Sequence, residues 1–245
     1  MDYGAWVGLF TFLGMFVLLI LGLPIFICLF TAAFVGSWLI GGPIYTLQQF
    51  ASAPYHITSS YTFAVVPLFI LMSVLAAKCG IARSAYNAAH KWLGQLSGGL
   101  LMVTIGSAAI FGASCGSSIA SAAVFSKTAL PELKHHNYDT TLSMGCIAVG
   151  GSLASLIPPS VGIIIICILV DGSIGKALVA GIIPGILMAL LLMATIQIIG
   201  LFKPESMPRL KMQVSWKERF ASLALVGPVL VILLLIIGGM YFGVF

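Results

Sequence analysis

The chain is organised as a series of long apolar runs separated by short polar or charged gaps. The runs lie at about 5–22, 25–41, 60–77, 93–126, 140–170, 174–201 and 220–243. Several of them reach the roughly 20 residues that a helix needs to cross about 30 Å of hydrocarbon. The pattern predicts an all-α, polytopic membrane protein with about six transmembrane helices. Gly22-Leu23-Pro24 alone separates the first two runs, and we interpret it as a tight turn rather than a kink in one long helix.

The run at 93–126 differs from the others because the small and polar stretch 112–118 interrupts it. It is too short for two full crossings, and its break is too rich in glycine and serine for one clean crossing. A non-helical tip at membrane depth must be buried in protein or line a wet cavity, because lipid cannot satisfy its backbone groups. We therefore predict a re-entrant helical hairpin at 93–126.

The positions of the basic residues support the hairpin. The 203–219 gap carries five Lys or Arg residues, which places it in the cytoplasm by the positive-inside rule. If 93–126 enters and leaves on the cytoplasmic side, ten of the eleven basic residues lie inside and only Lys176 lies outside. Lys78, Arg83 and Lys91 are then topology determinants.

A second interruption divides the run at 140–170. It contains Gly150-Gly151-Ser152 and then Ile157-Pro158-Pro159-Ser160. Two consecutive prolines are expected to unwind a helix, because each removes a backbone donor and clashes with the preceding turn. Interrupted apolar segments of this kind indicate a binding site near the membrane midplane, where half-helix N-termini face anions and freed carbonyls or hydroxyls coordinate cations. The candidate binding residues are Ser114, Gly116, Ser117, Ser118, Gly150, Gly151, Ser152, Pro158, Pro159 and Ser160.

Composition excludes several other classes of protein. Hydrophobic residues make up 60% of the chain and charged residues 7%, far below the roughly one quarter that is usual in soluble domains. The net charge of +5 does not indicate nucleic-acid binding, because the basic residues lie in the gaps between apolar runs rather than on a clustered face. The five cysteines form no C-x-x-C pair, so neither a disulfide framework nor a zinc site is predicted.

Alternative functions have weaker support. Gly112-Ala113-Ser114-Cys115-Gly116 matches the G-x-S-x-G nucleophile elbow of serine hydrolases, but it follows an apolar helical run instead of a strand. His135 and His136 share a loop with Glu132 and Asp139, where a solvated loop is favoured over a metal site. A passive channel or a structural membrane subunit is the remaining alternative. The spacings Gly4-x-x-x-Gly8 and Gly181-x-x-x-Gly185 are typical of close helix packing.

Several short motifs together resemble one transporter family. They are, in chain order, Pro67-Leu68-Phe69-Ile70, Gly98-Gly99-Leu100, Cys115-Gly116-Ser117-Ser118-Ile119-Ala120, Asn137-Tyr138-Asp139, Ile157-Pro158-Pro159-Ser160 and Ala180-Gly181-Ile182-Ile183-Pro184-Gly185. Their order and spacing resemble the large membrane subunit, of the DctM type, of tripartite ATP-independent periplasmic (TRAP) transporters within the ion transporter superfamily. The hairpin tip differs slightly from the family pattern, which favours another small residue at Cys115.

This resemblance implies a permease of the bacterial inner membrane and not an enzyme. It implies an elevator-type transport domain, sodium-coupled symport of small organic anions such as dicarboxylates, a small membrane subunit of the DctQ type and a periplasmic substrate-binding protein. No cofactor is expected beyond Na⁺ as the coupling ion. The oxygens available to hold Na⁺ belong to Ser117, Ser118, Gly150, Ser152 and Ser160.

The resemblance also predicts how the chain is organised. Residues 1–91 are expected to form scaffold-type helices, and residues 92–202 a transport-type region that contains the hairpin 93–126, the broken helix 140–170 and the helix 174–201. Residues 203–245 would be a cytoplasmic linker and the first helix of a second repeat. Large subunits of this family have two inverted halves, so we expect this chain to be a fragment, a truncated product or one piece of a split subunit.

Overall fold

The fold is that of a computed structural model, which describes residues 3–208 and 214–241. Within these ranges the regular structure is helical and no strand occurs, as predicted. The α-helices are α1 (Tyr3–Ile20), α2 (Ile25–Ser59), α3 (Val65–Lys78), α4 (Ile81–Leu93), α5 (Gly99–Cys115), α6 (Ser118–Thr128), α7 (Leu130–His135), α8 (Thr140–Ser152), α9 (Val161–Leu169), α10 (Ile174–Phe202), α11 (Trp216–Leu223) and α12 (Gly227–Tyr241).

The chain divides into two compact units between Ala64 and Val65. Helices α3 and α4 therefore pack with the hairpin and the broken helix, although the sequence assigns them to the scaffold. The division into compact units reports which residues contact one another, whereas the division into scaffold-type and transport-type regions describes function. The functional boundaries therefore stay a prediction.

The first unit is built on an antiparallel pair of helices, α1 and α2. Gly22 adopts a φ of +81°, a conformation that glycine tolerates best, and it allows the chain to turn between the helices. Farther from the turn, a Cβ added at Gly36 would lie 3.5 Å from the Thr11 methyl carbon, which is van der Waals contact. The two helices are therefore joined by a tight turn, as the Gly22-Leu23-Pro24 sequence predicts.

Helix α2 extends well beyond the apolar run that predicts it. The 42–59 stretch, which the sequence presents as a gap between runs, is helical except at Gly42, where φ is +79° and ψ is 176°. Pro43 follows this break directly. A proline is tolerated in the first turn of a helix because the donor that it lacks would have no partner there, so a second helical segment can start at this point.

Helix α5 forms the centre of the second unit. It packs against α3, α4, α8 and α10, and nearly all of its residues are buried. Its sequence is rich in glycine, alanine and serine, which lets neighbouring backbones approach closely. The chain then reverses into α6, and the rings of Phe111 on α5 and Phe125 on α6 meet edge to face with centroids 5.9 Å apart. Two packed helical arms are thus present where the sequence predicts a hairpin, and its re-entrant topology stays a prediction.

The break in the 140–170 segment falls later than the sequence suggests. Gly150 and Gly151 are helical, and α8 ends at Ser152. A short 3₁₀ helix, Leu153–Ser155, follows, and α9 begins at Val161 after the two prolines. The two glycines serve packing instead of unwinding. A Cβ at Gly150 would lie 3.4 Å from the Ala108 methyl group, and one at Gly151 would lie 2.8 Å from that of Ala122.

Helix α10 packs against the broken segment through its small residues. A Cβ at Gly181 would lie 2.9 Å from the carbonyl oxygen of Leu156, and one at Gly185 would lie 2.8 Å from the Ile157 side chain. The Gly181-x-x-x-Gly185 spacing therefore makes room for non-helical backbone. At Gly4 and Gly8 no described atom lies within 4 Å of an added Cβ, so the packing role predicted there is not seen within this chain.

Two of the predicted gaps also contain helices. Residues 78–91 include most of α4, which buries a face of alanines together with Tyr86. Residues 127–139 contain the short helix α7, and Asp139 caps α8 by accepting a hydrogen bond of 2.8 Å from the Leu142 amide. Both segments are therefore ordered parts of the second unit.

Length and composition identify the helices that could cross a membrane. Among the described residues, α1, α2 and α10 are each long and apolar enough. Two bent pairs, α3 with α4 at 59° and α11 with α12 at 41°, could raise the number to five. Many large apolar side chains are exposed, for example Ile183 at 77%, which suits a lipid-facing surface.

Candidate functional site

The hairpin tip is a sharp turn between the end of α5 and the start of α6. Gly116 ends α5 with a φ of +63°, and its amide donates to the Gly112 carbonyl oxygen. Ser117 follows in an extended conformation and caps α6, its hydroxyl oxygen accepting a hydrogen bond of 3.4 Å from the Ala120 amide. A glycine in the left-handed region followed by a serine N-cap is the combination that lets one helix end and another begin within two residues.

The broken helix re-forms through a second serine cap. The Ser160 hydroxyl accepts a hydrogen bond of 3.3 Å from the Ile163 amide and donates one of 2.6 Å to the Ser155 carbonyl oxygen. The Pro158–Pro159 peptide bond is cis. The single side chain of Ser160 thus ties the start of α9 to the end of the 3₁₀ helix.

The tip and the break are in direct contact. The Val161 amide donates a hydrogen bond of 3.2 Å to the carbonyl oxygen of Gly116. A Cβ at Gly116 would overlap the carbonyl oxygen of Pro159, and one at Gly112 would lie 2.8 Å from the Cα of Ala154. Both glycines therefore permit a backbone-to-backbone approach that a larger residue would prevent.

A cavity of about 540 Å³ lies at this contact. Its hydroxyl groups come from three parts of the chain, namely Ser73 on α3, Ser117 and Ser118 at the hairpin tip, and Ser155 at the break. Ser73 also donates a hydrogen bond to the carbonyl oxygen of Cys115. Among the described residues, the Ser118 hydroxyl has no hydrogen-bond partner.

Four helix ends meet around the cavity. The first residues of α6 and α9 line it and direct the positive ends of two helix dipoles towards it. Gly116, the C-cap of α5, and Ser155, the last residue of the 3₁₀ helix, also line it and bring the carbonyl-rich, negative ends of their helices. The cavity therefore offers both amide donors for an anion and carbonyl oxygens for a cation.

The structure brings some of the sequence-predicted residues to the cavity and leaves others away from it. Gly116, Ser117 and Ser118 line the cavity. Pro158, Pro159 and Ser160 are buried and do not line the cavity, but the Pro159 carbonyl oxygen lies next to Gly116 and the Ser160 hydroxyl oxygen next to Gly162, and both of these glycines line it.

The other four predicted residues lie away from the cavity lining. Ser114 is fully buried and donates to the Phe111 carbonyl oxygen within α5. Gly150 and Gly151 lie in the packed interior of α8, and the exposed Ser152 hydroxyl donates to the carbonyl oxygen of Val149. In this conformation the Ser152 hydroxyl is therefore used within α8.

Sequence reasoning missed Ser73, Ser155 and the presence of Lys78 at the cavity. A signal existed for Ser73, because it is the one polar residue in the apolar run from Phe63 to Ala77. Polar residues inside transmembrane segments are often functional, so this serine could have been included.

The enzyme and metal alternatives gain no geometric support. The Ser114 hydroxyl is fully buried in the last turn of a helix, whereas a nucleophile elbow exposes its serine between a strand and a helix. No group of three His, Cys, Asp or Glu side chains suited to a metal ion exists among residues 3–208 and 214–241. A second cavity, of about 710 Å³ between α8 and α10, is lined mainly by apolar residues and lies away from the hairpin tip.

Comparisons with known proteins agree on one family. Residues 12–245 match the family described as "Tripartite ATP-independent periplasmic transporter, DctM component". The C4-dicarboxylate TRAP transporter large permease protein DctM of Pseudomonas aeruginosa is 31% identical over 82% of this chain and 46% of its own length. The ectoine TRAP transporter large permease protein TeaC of Halomonas elongata is 31% identical over 93% of this chain and 53% of its own length.

A third relative, the sialic acid TRAP transporter permease protein SiaT of Haemophilus influenzae, is 32% identical over 76% of this chain and 30% of its own length. The chain thus spans about half the length of the first two relatives. The relatives are named as transporter permeases rather than enzymes, and their named substrates differ. The family match over nearly the whole chain shows that this membrane protein belongs to the DctM family of TRAP transporter large permeases.

Proposed function

We propose that this chain supplies one ion- and substrate-binding element of a sodium-coupled permease that takes up small carboxylates across the bacterial inner membrane. The observation that carries this proposal is the meeting of four helix ends at one cavity. A site with both positive and negative dipole ends can hold an anion and a cation side by side, as co-transport requires.

Neutral oxygens would coordinate the sodium ion. The cavity contains no carboxylate among its described lining residues, and hard cations favour oxygen ligands. The Cys115 carbonyl oxygen accepts from Ser73, and that of Gly116 accepts from Val161. Each carbonyl oxygen has a second lone pair, so that of Gly116, which lines the cavity, can still contribute to an ion. The unpartnered Ser118 hydroxyl is a further ligand that needs no existing bond to break.

The amides of Ser118 and Ile119 at the start of α6, and of Gly162 in the first turn of α9, would receive the substrate carboxylate. Helix N-termini bind anions because their first amides have no partner within the helix. The relatives named for C4-dicarboxylate and sialic acid support an acidic substrate. The choice among small carboxylates would depend on a periplasmic binding protein, and a small DctQ-type membrane subunit would complete the transporter.

The hairpin would open to the cytoplasm and move with α8 and α9 as one elevator-type body. Placing 203–219, 127–139 and 78–91 on the cytoplasmic side satisfies the positive-inside rule for ten of the eleven basic residues. The packing of Gly150 and Gly151 between the hairpin arms supports their movement as a unit.

Transport into proteoliposomes tests the proposal. The complete transporter, with its small subunit and binding protein, should accumulate labelled carboxylate against its gradient when a sodium gradient is imposed. Accumulation should cease when sodium is equal on both sides. Carboxylate flux that only follows its own gradient, with no response to sodium, would indicate a passive channel and contradict the proposal.

A further inference from the structure

Lys78 is the charged residue of the hairpin-tip cavity. It ends α3, and among the described residues that line the cavity it alone carries a charge. It is solvent-exposed and forms no ion pair with any described residue. The positive-inside rule requires only that the positive charge lie on the cytoplasmic side of the membrane. It does not explain why Lys78 lines a cavity whose other walls are neutral.

The position of Lys78 relates it to the proposed binding groups. Ser73, which contacts the hairpin tip, lies five residues earlier on the same helix and lines the same cavity. Five residues correspond to about 7.5 Å along a helix. The ammonium group is carried on a flexible four-carbon side chain and can therefore reach different parts of the cavity that Lys78 and Ser73 both line.

We propose that Lys78 forms an anion-binding subsite, through which a carboxylate passes between the hairpin tip and the cytoplasm. The ammonium group neutralises one carboxylate oxygen after the anion leaves the amides at the helix ends. Because Lys78 is exposed, the attraction is weak and screened by salt, which suits a release step better than a tight binding step. The identification of the anion as a carboxylate rests on the proposed function. The existence of an anion-binding subsite at Lys78 does not.

Thiol chemistry at the cavity tests the subsite without any need for transport. The 245-residue chain is expressed with Cys79→Ser, which removes its exposed cysteine, and with Ile119→Cys as a probe. Ile119 lines the cavity and is 83% exposed. Inside-out membrane vesicles are treated with methanethiosulfonates that carry either a sulfonate or a trimethylammonium group. Gly162→Cys gives an independent probe on α9, which also lines the cavity.

The ratio of anionic to cationic reagent rates reports the local potential. Lys78→Gln should lower this ratio by about two- to fourfold at either probe, because the two reagents differ by two charges and one exposed charge at roughly 8 Å is screened by physiological salt. Lys127→Gln is the matched control, because it removes another exposed lysine, one that does not line the cavity. An unchanged ratio in Lys78→Gln would overturn the inference.

Protection of the probe cysteines by succinate distinguishes binding of a carboxylate at Lys78 from a general electrostatic attraction of anions. Succinate should slow modification in the chain with Lys78 and in Lys78→Arg, but not in Lys78→Gln. Equal slowing by chloride at the same ionic strength would show screening only and would also overturn the inference. If succinate protects in vesicles while the complete transporter fails to accumulate carboxylate, the subsite stands and the proposed function fails.

Discussion

The Val161 amide and the Gly116 carbonyl oxygen, 3.2 Å apart, join the start of α9 to the tip of the hairpin. This hydrogen bond links two interruptions that are 45 positions apart in the sequence. It holds the N-termini of α6 and α9 at one cavity, which is the arrangement that the proposed coupling of an anion and a cation requires. The contact joins two backbone atoms. It is therefore disrupted by a substitution that changes the backbone conformation, and not by one that only removes a side-chain group.

Gly116→Ala should abolish uptake by the complete transporter. The left-handed φ of Gly116 costs a non-glycine residue about 1–2 kcal/mol, and the new methyl group would overlap the Pro159 carbonyl oxygen. The tip must then move away from α9. Uptake of labelled carboxylate and the thermal unfolding temperature of the purified protein measure the effect.

Gly145→Ala is the control for this substitution. Gly145 lies within α8, and no described atom lies within 4 Å of an added Cβ. Alanine there should leave uptake unchanged and raise stability slightly, because glycine is unfavourable inside helices. Wild-type uptake by Gly116→Ala would show that the observed tip geometry is not needed for transport.

Gly181→Ala should destabilise the protein more than Gly185→Ala. At Gly181 the nearest atom is a backbone oxygen, that of Leu156, which cannot move without shifting the broken segment. At Gly185 the nearest atom is the Cγ1 of Ile157, a side-chain atom that can shift farther than a carbonyl oxygen held in the backbone. We expect a loss of about 1–3 kcal/mol at Gly181, as for overpacking of a core, and less at Gly185. The thermal unfolding temperatures of the two variants in detergent measure this difference. A larger loss of stability in Gly185→Ala than in Gly181→Ala would contradict this packing.

Sequence patterns predicted the helical class, the first turn and the hairpin tip. Each depends on local chemistry, since an apolar run of sufficient length, a Gly-Leu-Pro turn and a Gly-Ser cap act within a few residues. The role of Gly150 and Gly151 could not be read in the same way, because glycine both weakens helices and permits close packing. The contacts of these glycines with Ala108 and Ala122, which are distant in the sequence, show that close packing is their role here.

The contribution of α3 to the site was only partly visible in the sequence, since Ser73 stands out in its apolar run but its location at the hairpin tip does not. Ser73 and Lys78 reach the hairpin cavity through tertiary packing, which no periodicity encodes. Lys78 in addition satisfied the positive-inside rule, so its charge already had an explanation.

Tyr138→Phe should lower the free energy of unfolding by about 1 kcal/mol, the net contribution of one hydrogen bond. The Tyr138 hydroxyl donates a hydrogen bond of 2.8 Å to the Pro208 carbonyl oxygen and so links the segment before α8 to the one after α10. Burial raises the pKa of the Tyr138 phenol, so the neutral form is favoured in the folded state. The contribution is therefore complete at neutral pH and is lost as the pH rises above about 10.

Chemical denaturation near pH 7 measures this difference. Tyr61→Phe is the control, because Tyr61 is 94% exposed and its hydroxyl has no partner among the described residues. Equal stability of the two variants would mean that the Tyr138 hydrogen bond contributes nothing.

Cysteines placed at Lys91 and at Lys134 should both react with an impermeant thiol reagent from the cytoplasmic side. The two positions flank the hairpin, and a re-entrant hairpin returns the chain to the side from which it entered. Labelling is compared in right-side-out and inside-out vesicles, with Cys79→Ser as the background. Reaction at Lys91→Cys from outside, with Lys134→Cys reacting from inside, would make 93–126 a true crossing.

The sodium dependence of Ser118→Ala tests the central claim, that the hairpin tip holds the coupling ion. Its hydroxyl has no hydrogen-bond partner among the described residues, so its removal should leave folding intact. Ser126→Ala is the matched control, since Ser126 lies on the same helix, is exposed, does not line the cavity and donates only to the Ala122 carbonyl oxygen.

The deciding measurement is the sodium concentration for half-maximal carboxylate uptake by the complete transporter. We predict that Ser118→Ala raises it by about three- to tenfold, as expected for the loss of one neutral ligand worth about 1 kcal/mol, while Ser126→Ala matches the wild type. Wild-type sodium dependence in Ser118→Ala would contradict the account and place the coupling ion away from the hairpin tip.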